Sequence, residues 1–208
     1  MSAAPPTPAH ASVPPSPDAR VPRPPLFRVA LISTGGTIEK TFDELHGVLH
    51  NRVSVLDAIL ASLEIEGVAI ERVPLMNKDS LEMTEADHDL IAATAAGQAA
   101  RHDGVVIVHG TDRLTRTGER IHGLLFGAGA AAAPATGPAP LPHARKPIVL
   151  TGAMRPYELR RTDAVQNLTE ALLAVQIVPP GVYVAMHNQV LAFPGVRKDY
   201  ERMTFTKP

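Results

Sequence analysis

A doubly wound α/β domain, built on a mainly parallel sheet with helices on both faces, is the fold class this sequence predicts. Short β-rich runs alternate with helical patterns along the chain. The runs are apolar almost throughout, as strands buried on both faces must be. They also break abruptly into Gly, Ser, Thr and Asp, the residues expected where a strand turns towards a helix.

Residues 1–25 precede this pattern and hold nine of the 20 prolines with almost no large apolar side chain. Such a segment cannot bury enough surface to offset its ordering entropy, so a disordered, partly polyproline-II tail is expected there. The domain is expected over 26–208. Its first strand is RVALIST (28–34), followed by a helix from Ser54 in SVLDAILASL, with Ser54 suited to the N-cap. The second strand, VAIERVPL (68–75), leads to a helix from Thr84, where Thr84 and Asp87 have the spacing of a capping box. GVVIVHG (104–110) is the third strand, and TRTGERIHGLLF from Thr115 is the next helix. The Ala/Gly/Pro stretch 127–147 lacks packing capacity and is expected to be a low-complexity surface loop. KPIVLTG (146–152), a helix from Thr162 and GVYVAMHN (181–188) complete the alternation. Thr162 suits the N-cap, and Asp163 and Asn167 are expected to cap and pin the same helix start.

Composition removes several function classes. Lys and Arg number 20 against 21 Asp and Glu, for a net charge of −1, and the basic residues are scattered. No electrostatic footprint for nucleic acid is present. The absence of cysteine excludes disulfides, thiol nucleophiles, cysteine metal sites and a racemase that works through paired thiols. No apolar run approaches the ~20 residues of a membrane span, so no membrane partner is expected. Without an apolar h-region near its start the chain is expected in the cytoplasm. Hydrophobic residues make up 45% but aromatics only 4%, so Ala, Val, Leu and Ile must build the core.

In doubly wound sheets ligands bind beyond the carboxyl ends of the strands. The strand ends here are STGGT, NKDS, HGTD and LTGAMRP, with VRKDY in the loop after the last strand. Four of the five supply Ser or Thr, and the group adds Asp79, Asp112 and Lys198. Hydroxyls, a carboxylate and a lysine at one rim suit nucleophilic acyl transfer, and the glycines would let backbone N–H groups meet a developing oxyanion. Gly35-Gly36 lacks the spacing of a dinucleotide fingerprint or a phosphate loop, so neither cofactor is indicated. His46 and His50 in HGVLH have i, i+4 spacing, yet the intervening glycine and the missing Glu make them loop residues rather than a helical zinc pair. His109, at the mouth of a strand, is expected as a packed structural ring.

Together, TGGTI (34–38), HGTD (109–112), TGAMRP (151–156) followed by Asp163 and Asn167, and VRK (196–198) resemble the bacterial L-asparaginase/glutaminase family. The resemblance runs from about Arg28 to the end, interrupted by the alanine/proline stretch. It implies the family's N-terminal catalytic domain in a short, one-domain form, with no metal or organic cofactor. Thr37 would be the nucleophile that attacks a side-chain amide, and the hydroxyls ending the first strand would face the substrate. Thr111, Asp112 and Lys198 would form the second catalytic cluster. Gly36, Ser80, Thr111 and Asp112 would bind substrate, Ser80 taking the α-carboxylate and Asp112 the α-ammonium. The implied reaction turns L-asparagine and water into L-aspartate and ammonia through an acyl-enzyme. The family assembles through dimers, so a homodimer is expected. The family's lid tyrosine has no counterpart here, Phe42 being the only aromatic in that segment, and Leu81 stands where many members are polar. A non-catalytic amino-acid- or amide-binding module on the same fold is the alternative, but such a module has no need of Lys198.

Overall fold

The computed structural model describes residues 26–127 and 146–208. The expected tail at 1–25, and all but the ends of the low-complexity stretch 127–147, lie outside the described residues. The chain forms β1 (Phe27–Gly35), a hairpin of β2 (Thr41–Asp43) and β3 (Val48–His50), α1 (Leu56–Ala61) and β4 (Val68–Lys78). It continues through α2 (Glu85–Ala99), β5 (Gly104–Val108), α3 (Leu114–Phe126), β6 (Pro147–Thr151) and α4 (Ala164–Ile177). β7 (Gly181–Met186), β8 (Gln189–Ala192) and a last hairpin of β9 (Arg197–Asp199) and β10 (Thr204–Thr206) complete it.

The main sheet has the order β4-β1-β5-β6-β7-β8. Its first five strands are parallel, and only β8 runs antiparallel, against β7. The fold is therefore the mainly parallel, doubly wound sheet that the sequence predicts. Alternate residues of each strand serve opposite cores. Ala30, Ile32, Val105, Ile107, Ile148 and Leu150 pack with Ile91, Ala95, Leu114 and Ile121 of α2 and α3. Val29, Leu31, Val106, Val108 and Val149 pack with Leu56 and Ile59 of α1 and with Leu168, Ala171 and Val175 of α4. Both faces are covered, which explains the continuous apolar runs.

α2 begins with the expected capping box, in which Asp87 N–H donates to the Thr84 hydroxyl and Thr84 N–H to the Asp87 carboxylate. The other two expected N-caps are each displaced, and α3 starts at Leu114, one residue before Thr115. α1 starts after Val55 and α4 after Asp163, each one residue later than expected. The Ser54 and Thr162 hydroxyls still accept from Leu56 N–H and Ala164 N–H, bracing the entry turns from outside. β8 and the two hairpins go beyond the sequence expectation.

The strand order decides where a ligand can enter. The chain leaves β1 for β4 on one side and then crosses to β5 on the other, so connections diverge between β1 and β5. That divergence opens a crevice at the carboxyl ends of these two strands, where Thr37 and Thr111 follow.

Candidate active site

Main chain packs against main chain at this crevice. Gly36 (φ 85°) lies so close that a Cβ there would sit 2.3 Å from Gly110 Cα. A Cβ on Gly110 would meet the Ser80 side chain at 2.6 Å, and one on Gly152 would meet the His109 carbonyl at 2.3 Å. Glycine is thus required where the loops after β1, β4, β5 and β6 close on each other. Gly36→Ala is expected to lower unfolding stability by about 3 kcal/mol or more, through both the φ and the clash. Urea melting of the variant checks this, and an unchanged midpoint would mean that the loops stand further apart.

Beyond Gly36 the chain makes a single 3-10 turn, Thr37–Glu39. Thr37 is half-buried, while Ile38 and Glu39 are buried. Glu39 turns back under the turn, accepting from Gly35 N–H and from the Ser54 hydroxyl. Burial pushes its carboxyl up from the ordinary value, against the pull of Ser54 and Arg72.

Across the crevice Thr111 is buried, and Lys198 arrives from β9, 87 residues further along the chain. The ammonium donates to Thr111 Oγ1 at 2.8 Å and to Asp112 Oδ1 at 2.7 Å. Only 6% of the Lys198 side chain is exposed, so water screens this pair little. The Tyr200 ring lies 4.8 Å from Lys198 Nζ, a cation–π contact. β9 is held in place by its pairing with β10, whose Phe205 faces Lys198 in register and enters the core.

His109 fixes the main chain just before Thr111. It is fully buried, which lowers its pKa to about 4, with the Gly110 carbonyl pulling the other way and His88 adding to the drop. A neutral ring with Nδ1–H donating to the Gly110 carbonyl leaves Nε2 to accept from the Thr117 hydroxyl, whose oxygen accepts from His88. The ring is structural, as expected.

A family model described as "Asparaginase, N-terminal" matches residues 28–128 and 139–204. The chain belongs to the asparaginase family. It is 34% identical over 164 residues to a glutamyl-tRNA(Gln) amidotransferase subunit of Haloquadratum walsbyi, an overlap of 78% of this chain and 33% of that one. It is 28% identical to an L-asparaginase of Thermococcus kodakarensis, over 83% of this chain and 48% of the relative. The solved thermostable L-asparaginase from that organism matches with a TM-score of 0.69 and 26% identity, covering 87% of this chain and 51% of the other. A probable cytoplasmic L-asparaginase from Campylobacter jejuni gives a TM-score of 0.66 at 26% identity, over 88% and 53%. The chain spans between a third and about half the length of these relatives.

Gly36, Gly110 and Ser80 meet at the crevice, Thr111, Asp112 and Lys198 meet one another, and Thr37 stands on the turn that follows Gly36. Three expectations need correction. The hydroxyls that end β1 do not all face a ligand: Thr34 donates to the Val108 carbonyl at 3.0 Å, because β5 lies beside β1. Thr151 is likewise spent on the Ala185 carbonyl, at 2.9 Å. The Gly35 and Gly36 N–H groups do not point at an oxyanion, since Glu39 and the Lys78 carbonyl take them. Asp163 holds the N-cap position of α4, but its side chain makes no capping bond to the helix N–H groups. Its carboxylate instead accepts from Met154 N–H, Arg155 N–H, Asn167 and His187, locking the TGAMRP loop. Burial opposes ionisation of Asp163, yet these donors outweigh it and hold its pKa below the ordinary value.

Ser80 opens a second 3-10 turn, Ser80–Glu82, capped by Asp79. Its hydroxyl is buried with no hydrogen-bond partner among the described residues. The segment between β1 and α1 holds the hairpin of β2 and β3, tethered where Phe42 N–H donates to Glu158 and Asn51 to the Gly36 carbonyl. His46 binds Asp43 and His50 pairs with Thr41, so HGVLH is not helical. Sequence reasoning missed Glu39, Lys40, Glu158 and Tyr200. The acidic residue directly after TGGTI was the one visible signal among them.

Proposed function

We propose that this chain is an L-asparaginase-type amidohydrolase that cleaves L-asparagine to L-aspartate and ammonia. The observation that carries the reading is Lys198, brought by a separate hairpin onto both Thr111 and Asp112. In this reading the Thr37 oxygen attacks the side-chain amide carbon, the C–N bond breaks, and ammonia leaves with the proton that Thr37 gives up. Water then hydrolyses the threonine ester and restores the hydroxyl. Because Lys198 donates to the Thr111 oxygen, the Thr111 hydroxyl proton stays free to be passed on. Ser80, Thr111 and Asp112 hold the amino-acid end, Asp112 taking the ammonium, and Gly36, its backbone groups already paired, only lines it. No metal or organic cofactor is needed in this scheme.

Ammonia release from L-asparagine tests the reading. The relatives named as amidotransferase subunits make L-glutamine the amide to set beside it. Binding of these amides with no ammonia released would leave the binding module instead.

We also read the chain as a cytoplasmic homodimer. Among the described residues no helix is long and apolar enough to cross a membrane. Phe42 and Leu45 on the β2–β3 hairpin are 57% and 85% exposed, and two-fold pairing is the commonest oligomer. Sedimentation at micromolar concentration is expected to give twice the chain mass; a fully active monomer would overturn the dimer.

A further inference from the structure

The 3-10 turn that presents Thr37 also carries a cation to the same rim. Lys40 follows the turn directly, as its C-cap in extended backbone. Its N–H donates to the Thr37 carbonyl at 3.2 Å. The side chain then crosses to the end of the neighbouring strand, where Nζ donates to Asp79 Oδ2 at 2.6 Å. Asp79 is itself fixed, because its other oxygen accepts from Leu81 N–H at 3.0 Å. Burial works against ionisation of Asp79, but the bonds from Lys40 and Leu81 outweigh it and keep its pKa below the ordinary value. Lys40 and Asp79 side chains retain 24% and 27% of their exposure, so the pair is neither sealed in the core nor free in solvent.

This arrangement has the features of a pre-formed anion clamp. An ammonium offers three N–H donors, and Asp79 uses one. The carboxylate holds the long lysine stem in one place, so an incoming anion does not pay to order it. Next in sequence to Asp79 stands Ser80, whose buried hydroxyl has no partner among the described residues. Leu81, exposed and apolar, brings no polar side chain there, and its N–H is taken by Asp79.

We propose that Lys40 is a specificity residue that binds the carboxylate of the substrate, with Ser80 beside it, and so selects amides that also carry a carboxylate. The proposal rests on the reading of the Thr37 rim as the amide site. A charge-assisted bond from a fixed ammonium is among the stronger single contacts a carboxylate can make. It compensates for the apolar Leu81 and sets this rim apart from one that would accept plain amides.

The test pairs binding with turnover in wild type, Lys40→Met and Lys40→Arg. Titration calorimetry with L-aspartate and with succinate reads the clamp without any chemistry. Ammonia release from L-asparagine and from propionamide, which has no carboxylate, reads selectivity. Lys40→Met is expected to weaken binding of both dicarboxylates and to raise KM for asparagine by about tenfold or more. Its loss on propionamide should be several-fold smaller, and Lys40→Arg should recover most of the binding. Unchanged dicarboxylate affinity in Lys40→Met overturns the proposal. So does an equal fall in kcat on both amides, which would make Lys40 a brace for the Thr37 turn, and so does a wild type that binds neither dicarboxylate at millimolar concentration. Lys40-dependent binding in a protein that releases no ammonia keeps the clamp and removes the hydrolase. Thr37-dependent hydrolysis with unaltered binding in Lys40→Met does the reverse.

Discussion

Thr37→Ala is expected to lose amide hydrolysis by about 10⁴-fold or more, the scale on which removing a nucleophile acts. The variant keeps its fold, because Thr37 is half-buried and its turn is held by other groups. Glu39 N–H donates to the Gly36 carbonyl, and the Glu39 carboxylate takes Gly35 N–H. The methyl and hydroxyl of Thr37 are therefore surplus to the architecture of the loop. Steady-state ammonia release, read beside the far-UV dichroism and melting temperature, separates chemistry from folding. A well-folded Thr37→Ala protein with wild-type turnover would remove Thr37 from the mechanism. It would also shift attention to Thr111, whose hydroxyl oxygen accepts from Lys198.

Lys198→Met is expected to lower kcat by about 10²- to 10³-fold, within the range of a lost proton-transfer partner, while KM moves much less. Methionine keeps most of the length of the side chain and its packing, so the substitution removes the charge, its two hydrogen bonds and its contact with the Tyr200 ring. Thr111 loses the bond that orients its hydroxyl, and Asp112 loses the cation 2.7 Å away. Both effects fall on the step in which the proton moves. If KM rises while kcat at saturation is untouched, Lys198 grips the substrate and takes no part in the transfer.

The strands and helices that frame this rim were legible because burial on both faces writes long apolar runs. Val29 to Ile32 and Val105 to Val108 are such runs. The hairpins were not, since three residues per strand carry no usable period. β8 left one trace: His187 and Asn188 take φ of 54° and 60°, and Asn favours the left-handed turn that joins β7 to β8. Within the site, the resemblance to the asparaginase family pointed to Thr37, Thr111, Asp112 and Lys198 but not to their neighbours. The Lys40–Asp79 pair spans 39 residues and exists because β1 and β4 are adjacent, a fact of strand order that no local window contains. The Gly35 and Gly36 amides show the opposite error. Glycine spacing indicated open N–H groups, yet the buried Glu39 carboxylate and the Lys78 carbonyl had already taken them.

The glycine contacts beneath the rim divide the molecule into a part that natural variation or a protein engineer can alter and a part neither can. Where Gly36 meets Gly110 and Gly152 meets the His109 carbonyl, there is no side chain to exchange, and any addition pushes main chain against main chain. On the proposed reading, new substrate preferences arise at the periphery, from Lys40, from Phe42 on the β2–β3 hairpin, from Leu81 beside Ser80 or from Tyr200 beside Lys198. Libraries randomised at those positions would sample selectivity on an unchanged scaffold. Libraries aimed at the glycines would mainly return proteins that do not fold.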